Sequence, residues 1–274
     1  MKYFSVVCFT FVCIFSFSQS DTIKISTKKN PKIYLSWGYT RAWYSKSSIH
    51  FADHSGKFNE HRGKPDNYDF TIYDATAKDR PDFDAIKDVI NVTIPQFVGR
   101  VGYMFNSKWG IEMNYDHTKY VVTDGQRLHV KGEIDGVPID KDTTMGGNFL
   151  HFEHTDGANF WMMNAVRKFE LYKPTKNFIA SVVLKPGAGV VYPRTDVTIF
   201  GERLNNRWHA AGWIVGVESG LRIEFLQHGL FEFVGKGTFA DYTNCLVLGK
   251  GNGKANHHFF AGQLTATIGY MFGF

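Results

Sequence analysis

The last eighteen residues of the chain alternate between two kinds of side chain. Counting back from Phe274 in steps of two gives Phe272, Tyr270, Ile268, Ala266, Leu264, Gly262 and Phe260. The positions between them are mostly small or polar, with Met271 and Ala261 as the apolar members. A period of two predicts a β-strand. An apolar face opposite a small or polar face is typical of a strand that separates lipid from a packed polar lumen.

The same alternation recurs along the chain and predicts eight strands. They cover residues 33–44, 96–106, 109–121, 149–171, 178–192, 208–225, 230–247 and 257–274. The predicted fold class is all-β, an antiparallel up-and-down transmembrane β-barrel of eight strands with long outer loops. Residues 19–274 form this barrel as one domain. A soluble lipocalin-like barrel is an alternative, but the outward faces carry too few polar side chains for a surface in contact with water.

The predicted inward faces carry charges of both signs. They are Arg100, Glu112, Lys185, Glu218, Arg222, Glu224, Glu232 and Lys236. An eight-stranded barrel has room inside only for its own side chains, and buried charges must be paired. We therefore expect a salt-bridge network that plugs the lumen, in preference to an ion-conducting path.

The connections alternate between short and long. Residues 106–108, 174–176 and 227–229 are tight turns, whereas residues 45–95, 122–148, 193–207 and 248–256 are longer links. Outer-membrane barrels have short periplasmic turns and long outer loops. The first link is rich in aromatic residues, so we expect it to fold back over the barrel mouth, with an extra strand at residues 70–75.

The amino-terminus has the pattern of an export signal. Lys2 precedes an almost unbroken apolar run over residues 3–17, and Ser16 and Ser18 are the small residues that a signal peptidase recognises. Residues 1–18 are therefore predicted to be a signal peptide cleaved before Gln19. A retained membrane anchor is the alternative, but the run is shorter than the about 20 residues of a helical span.

The composition of the chain limits the classes of partner that we expect it to bind. Cleavage before Gln19 would remove Cys8 and Cys13 and leave Cys245 without an intrachain disulfide partner. The formal net charge of +5 is modest, and no basic cluster interleaved with aromatic residues indicates nucleic acid. We expect no nucleic-acid partner and no cofactor. Beyond Gln19 no uninterrupted apolar stretch approaches 18 residues, which argues against a helical membrane protein.

Two groups of residues could carry chemistry. Asp116, His154 and Asp156 are predicted to share one face, and with a loop serine, Ser48 or its neighbours, they could form a nucleophile, base and orienting acid. A hydroxyl needs such a base to lose its proton. Aromatic-belt histidines and loop hydrogen bonds explain the same residues without catalysis, and we favour that interpretation.

The second group is a candidate metal site at His50, His54 and His61, which His257 and His258 could join. Spacings of four and seven residues could bring imidazoles together in a folded loop to bind zinc or copper. Exposed histidines in a long polar loop are more common than metal sites, so this interpretation competes with simple surface exposure.

The barrel pattern and the terminal Phe274 resemble the small outer-membrane barrels of Gram-negative bacteria, among them the OmpA transmembrane domain, OmpX, PagP and PagL. In that family a final aromatic residue is an assembly signal, so the resemblance implies recognition of Phe274 by the barrel-assembly machinery. In PagL, the lipid A deacylase of this group, a His-x-Ser pair near the carboxy-terminus carries catalysis. No His-x-Ser sequence occurs in this chain after His257. Residues 68–83 and 93–96 look like a group of outer-membrane barrels that implies no particular reaction.

Together these features predict a monomeric protein of the bacterial outer membrane with a plugged polar lumen and folded extracellular loops. Its expected role is non-enzymatic, in surface binding or structure, with outer-membrane lipids and lipopolysaccharide as partners. The alternative is an enzyme that modifies lipid A or phospholipid, a deacylase or acyltransferase acting at the outer leaflet through Asp116, His154 and Asp156.

Overall fold

The computed structural model describes residues 31–79, 96–154, 156–248 and 253–273. Within these ranges nineteen strands are labelled β1 to β19 in chain order. None of the described segments forms a helix long and apolar enough to cross a membrane. The predicted signal peptide, its cleavage site before Gln19 and the terminal Phe274 lie outside the described residues.

Eight antiparallel strands form a closed barrel. They are β1 (Lys32–Tyr44), β7 (Phe97–Met104), β8 (Trp109–His117), β13 (Phe160–Thr175), β14 (Phe178–Val191), β17 (Gly212–Phe225), β18 (Gly229–Leu246) and β19 (Lys254–Gly273). Each pairs with the next, and β19 pairs with β1 in a register that joins Lys32 to Gly273 and Tyr44 to Ala261. The prediction of an eight-stranded antiparallel barrel is confirmed.

The remaining strands belong to a cap at one end of the barrel. They are β2 (Ser47–Asp53), β3 (Phe58–Asn59), β4 (Lys64–Pro65), β5 (Tyr68–Ala75), β6 (Ala77–Lys78), β9 (Tyr120–Val122), β10 (Arg127–Ile134), β11 (Val137–Thr144), β12 (Leu150–His154), β15 (Asp196–Ile199) and β16 (Glu202–Asn205). The extra strand expected in the first link is present as β5. The short turns β7–β8, β13–β14 and β17–β18 lie at the opposite end.

Two of the predicted strands are divided, so those two boundaries were wrong. The predicted strand 149–171 is β12 followed by β13, and the predicted strand 109–121 is β8 followed by β9. Between β12 and β13, Gly157 has φ +100° and Asn159 has φ +47°, values outside the range of regular extended backbone. The alternation of side chains therefore does not run unbroken from His154 into the barrel wall.

The outer wall of the barrel is apolar. Large hydrophobic side chains point outward from every barrel strand, and several are more than half exposed, including Trp37 at 60%, Phe260 at 66% and Ile268 at 63%. In a folded chain such side chains are normally covered. A continuous apolar wall of this kind is suited to lipid.

The inner wall carries the predicted charges, and all eight of those residues are buried. Lys185 is at their centre, with its ammonium 2.9 Å from Glu112, 3.0 Å from Glu218 and 2.8 Å from Glu232. Arg222 donates to Glu232 at 2.5 Å. Each charge therefore has a partner of opposite sign, which offsets the cost of removing it from water.

The network extends towards the cap through Asp116. Arg100 contacts Glu218 at 2.9 Å and Asp116 at 3.2 Å, and Lys236 contacts Asp116 at 2.5 Å. A separate pair, Lys168 with Glu224, lies near the short turns.

Tyr34 completes the network beside Gly102. Its hydroxyl donates to Glu112 at 2.7 Å and accepts from Arg222 at 2.9 Å. The ring lies directly over Gly102, where an added Cβ would be 1.9 Å from Tyr34 Cζ. Glycine at residue 102 therefore provides the space in which the phenol reaches the ion pairs.

The cap contains two main sheets, packed on each other and on the barrel mouth, and the small two-stranded sheet β3–β4. Strands β2, β5, β10 and β11 continue from the upper end of β19, and a second sheet has the order β16-β15-β12-β9-β6. Phe51 stacks on Phe70 at 5.5 Å and meets Phe152 of the second sheet edge to face at 5.3 Å. These rings belong to an apolar cluster that reaches into the barrel at Phe160 and Phe259. The described part of the first link, residues 45–79, folds back over the mouth as expected, and residues 80–95 of that link lie outside the described residues.

The substitution Lys185→Met tests the network. It is expected to lower the free energy of unfolding by about 3–5 kcal/mol, because three buried carboxylates would lose their shared cation. Urea unfolding in detergent, followed by tryptophan fluorescence, measures the change. Lys173→Met is the matched control, since Lys173 is exposed and its ion pair with Glu170 is on the surface. Equal losses in the two variants would contradict the central role of Lys185.

Candidate functional site

Asp116, the first residue of the predicted catalytic group, lies inside the barrel. It is near the end of β8, is fully buried, and is bound by Arg100 and Lys236. Both of its oxygens are therefore already committed to cations. The position suits an anion that neutralises the lumen, and it makes the carboxylate a poor proton acceptor.

His154 ends β12 in the cap and is also fully buried. Its Nε2 is 3.2 Å from Nε2 of His257, and its Nδ1 is 3.2 Å from the hydroxyl of Thr195. Burial lowers the pKa of His154 to about 3, so the imidazole is neutral at pH 7. The ring is surrounded by aromatic side chains, including Tyr242, which stacks on it at 4.9 Å.

Asp156 and Ser48 have other partners. Arg194 donates to Asp156 at 2.7 Å, on the surface of the cap. The Ser48 hydroxyl is exposed and lies 3.4 Å from the backbone nitrogen of Asp74. No hydrogen bond within the described ranges joins any two of the four predicted catalytic residues. The positive φ at Gly157 interrupts the alternation of side chains. Asp156 and His154 therefore do not share a face with Asp116.

The predicted metal ligands are partly brought together. His50 Nε2 is 2.8 Å from one oxygen of Asp69, and His54 Nε2 is 3.6 Å from the other. His61 lies elsewhere in the cap, against Gly201. The His50–Asp69–His54 group is on the surface, and the possibility that it binds a metal stays a prediction.

A second histidine environment is fully buried. His154 and His257 lie beside Cys245, and one nitrogen of each imidazole and the thiol sulfur are all within 4.8 Å of one another. The sequence pattern predicted His257 only as a companion of the loop histidines and indicated no role for Cys245. The alternation of side chains along β19 could have predicted that His257 points inward, because it is two residues from the inward-facing Phe259.

A polar concavity lies on the outer face of the second cap sheet. It is an open cleft of about 700 Å³. Its lining is formed by Lys119, Asp124, Gly147, His151, Glu153, Asp156, Asp196, Thr198, Arg203 and Asn205. The residues come from β12, β15, β16 and the adjoining turns, so neighbouring strands hold them side by side. Sequence reasoning missed this cleft, because it forms only when β12 pairs with β15.

The floor of the cleft is electrostatically organised. His151 Nδ1 is 3.0 Å from Asp124, and its Nε2 is 3.6 Å from Glu153. The hydrogen bond to Glu153, together with that to Asp124, raises the pKa of His151 to about 9 against the opposing effect of burial. Asp196 is bound by Arg203 at 2.6 Å. At pH 7 the cleft therefore presents paired charges and many hydrogen-bond acceptors.

The raised pKa of His151 has a consequence for stability. The folded value, about 9, exceeds the ordinary 6.5, so the ionised imidazole stabilises the fold fully below pH 6.5 and loses that effect as the pH rises through about 9. The stability advantage of the native chain over His151→Gln should follow that course when urea unfolding is measured from pH 6 to pH 10. An advantage that does not change with pH would show that the ion pairs contribute nothing.

No family model and no curated protein matches the chain. Solved structures of similar architecture exist. The outer membrane protein OprG from Pseudomonas aeruginosa matches with 13% identity and a TM-score of 0.40, over 89% of this chain and 97% of that one.

Two further solved structures are similar at lower scores. Ail, the attachment invasion locus protein of Yersinia pestis, matches with 11% identity and a TM-score of 0.31, over 89% and 99% of the two chains. Neisserial surface protein A matches with 8% identity and a TM-score of 0.32, over 87% and 96%. At such identities and scores the likeness is one of barrel architecture, and it assigns no activity to this chain.

Proposed function

We propose that the chain is a monomeric outer-membrane protein of a Gram-negative bacterium, with a closed lumen and a non-enzymatic binding role at the cell surface. The observation that carries the proposal is the contrast between the two faces of the barrel wall. Outward side chains such as Trp37 and Ile268 are apolar and exposed, whereas inward charges such as Lys185 are buried and paired. Lipid outside and a sealed interior explain both faces.

The closed lumen supports a binding role over transport. The ion pairs around Lys185 and Arg100 fill the middle of the barrel, and the aromatic cluster of Phe160, Phe259 and Tyr242 lies across its mouth. A diffusion pore needs a continuous watery path, and these two layers leave little room for one. The ring also closes on itself through β1 and β19, which supports a monomer because the barrel offers no free edge.

The cap faces the cell exterior in this proposal. Strand ends Lys32 and Gly273 lie at the short-turn end, which is the periplasmic end in outer-membrane barrels. The cap then stands above the outer leaflet, where lipopolysaccharide is the abundant partner. Its cleft is lined by carboxylates, Thr198 and Asn205, which suit a ligand rich in hydroxyl groups. We propose the saccharide portion of lipopolysaccharide as the ligand of the cleft.

Conductance tests the closed lumen. The purified full chain, inserted in a planar lipid bilayer, is expected to give no stepwise opening, because the ion-paired layer and the aromatic layer both block the path. A general porin in the same bilayer is the positive control for insertion conditions. Heat-modifiable migration on a gel shows that the chain is folded. Steady single-channel steps from the folded chain would overturn the closed-lumen proposal.

Calorimetric titration with de-acylated lipopolysaccharide tests the cleft. The double variant Asp124→Asn, Asn205→Ala is expected to bind about tenfold more weakly, since each lost hydrogen bond contributes about 0.5–1.5 kcal/mol. Asp140→Asn is the matched control, because Asp140 is an exposed aspartate on β11 outside the cleft. An absence of binding by the native chain, or an equal loss in the control, would reject the cleft as the saccharide site.

A further inference from the structure

Three metal-binding side chains meet where the cap joins the barrel. His154 comes from β12 in the cap, Cys245 from the upper end of β18, and His257 from the upper end of β19. All three are buried, with relative exposures of 0%, 0% and 2%. Residues 91 and 103 positions apart in sequence thus share one enclosed space.

The distances are close to those around a single small cation. His154 Nε2 is 3.2 Å from His257 Nε2 and 4.0 Å from Cys245 Sγ, and the sulfur and one ring nitrogen of each histidine lie within 4.8 Å of one another. A tetrahedral zinc ion, with bonds of about 2.0–2.1 Å to nitrogen and about 2.3 Å to sulfur, holds two nitrogens roughly 3.3 Å apart and nitrogen and sulfur roughly 3.6 Å apart. The two nitrogens already have that spacing, whereas the thiol has to move towards the imidazoles by up to about 1 Å.

The outer nitrogen of each imidazole is already occupied. Thr195 Oγ1 lies 3.2 Å from Nδ1 of His154, and Ser47 Oγ lies 3.4 Å from Nδ1 of His257. A hydrogen bond from Nδ1–H to an oxygen leaves the lone pair on Nε2, which is the atom that faces the shared space. This is how hydrogen-bond partners orient histidines that bind metals.

The surroundings hold both rings in place. Tyr242 stacks on His154 at 4.9 Å with an interplanar angle of 17°, and on His257 at 4.8 Å with an angle of 22°. The Tyr242 hydroxyl donates to the carbonyl of Ala158 at 2.9 Å, which fixes the ring that stacks on the imidazoles. The two imidazole rings are therefore held in fixed positions and need little reorganisation to accept a cation.

We propose that His154, Cys245 and His257 bind one soft or borderline transition-metal cation, with zinc(II) as the representative. Two imidazoles and a thiolate favour zinc or copper(I) over calcium or magnesium, which prefer oxygen ligands. Binding uses the Nε2 lone pair of each neutral imidazole and releases the thiol proton of Cys245 to solvent. The bound ion ties β12 of the cap to β18 and β19 of the barrel.

Refolding of the full chain with cobalt(II) tests the site. All samples carry Cys8→Ala and Cys13→Ala, so that Cys245 is the sole cysteine. The expected result is one cobalt per chain with a thiolate-to-cobalt charge-transfer absorption in the near ultraviolet, displaced by zinc(II). Zinc is also expected to raise the urea midpoint of unfolding. A folded chain that takes up no cobalt, or takes it up without the thiolate absorption, would overturn the proposal.

Three variants locate the ligands. Cys245→Ser and His257→Gln are each expected to lose the absorption and the zinc-dependent rise in midpoint. His54→Gln is the control, because His54 is exposed and belongs to the separate group around Asp69. Metal retained by Cys245→Ser but lost by His54→Gln would assign the ion to that surface group and overturn the buried site. If a buried variant fails to fold, the cobalt spectrum of the native residues still decides.

Discussion

The contact of the Lys185 ammonium with three carboxylates is the interaction on which the barrel interior depends. Glu112, Glu218 and Glu232 project from three different strands and would repel one another without it. In water such groups would be solvated, but each has at most 1% exposure here. Cations from the barrel wall neutralise them, and the free energy of the fold depends on this pairing as well as on burial.

Apolar clusters at both ends of the barrel explain why these buried charges must be paired. Tyr34, Met104, Val166, Leu230 and Met271 form an apolar cluster towards the short turns, and the larger apolar cluster of the cap lies across the mouth. Water has poor access to the charges from either end. The cap therefore packs its apolar cluster on the barrel mouth and presents the polar cleft on its outer face.

The sequence predicted the barrel well because its signal is local. Alternation with period two assigns a side chain to lipid or lumen without any knowledge of its partner, and Arg100, Glu112 and Lys236 were placed correctly by that rule. It failed at Gly157, where a left-handed backbone ends the alternation and no strand pattern reveals the change. The supposed common face of Asp116 and His154 depended on that unbroken phase, which is why the two residues have different partners.

The cleft and the buried histidines could not be predicted for a different reason. Each is made by pairing between segments that are distant in sequence, β12 with β15 for the cleft, and β12 with the upper ends of β18 and β19 for the histidines. Loops of ordinary barrels would leave such residues in water, where a histidine has no fixed neighbour.

Here β2 adds directly to β19 from Lys254 to His257, so the cap continues the barrel wall and encloses the junction. Enclosure changes the chemistry available, because an imidazole or a thiol kept from water must find a hydrogen bond or a cation inside the protein. The exposed histidines near Asp69 have water as an alternative partner, whereas the partners of His154, Cys245 and His257 among the described residues are one another and two hydroxyl groups.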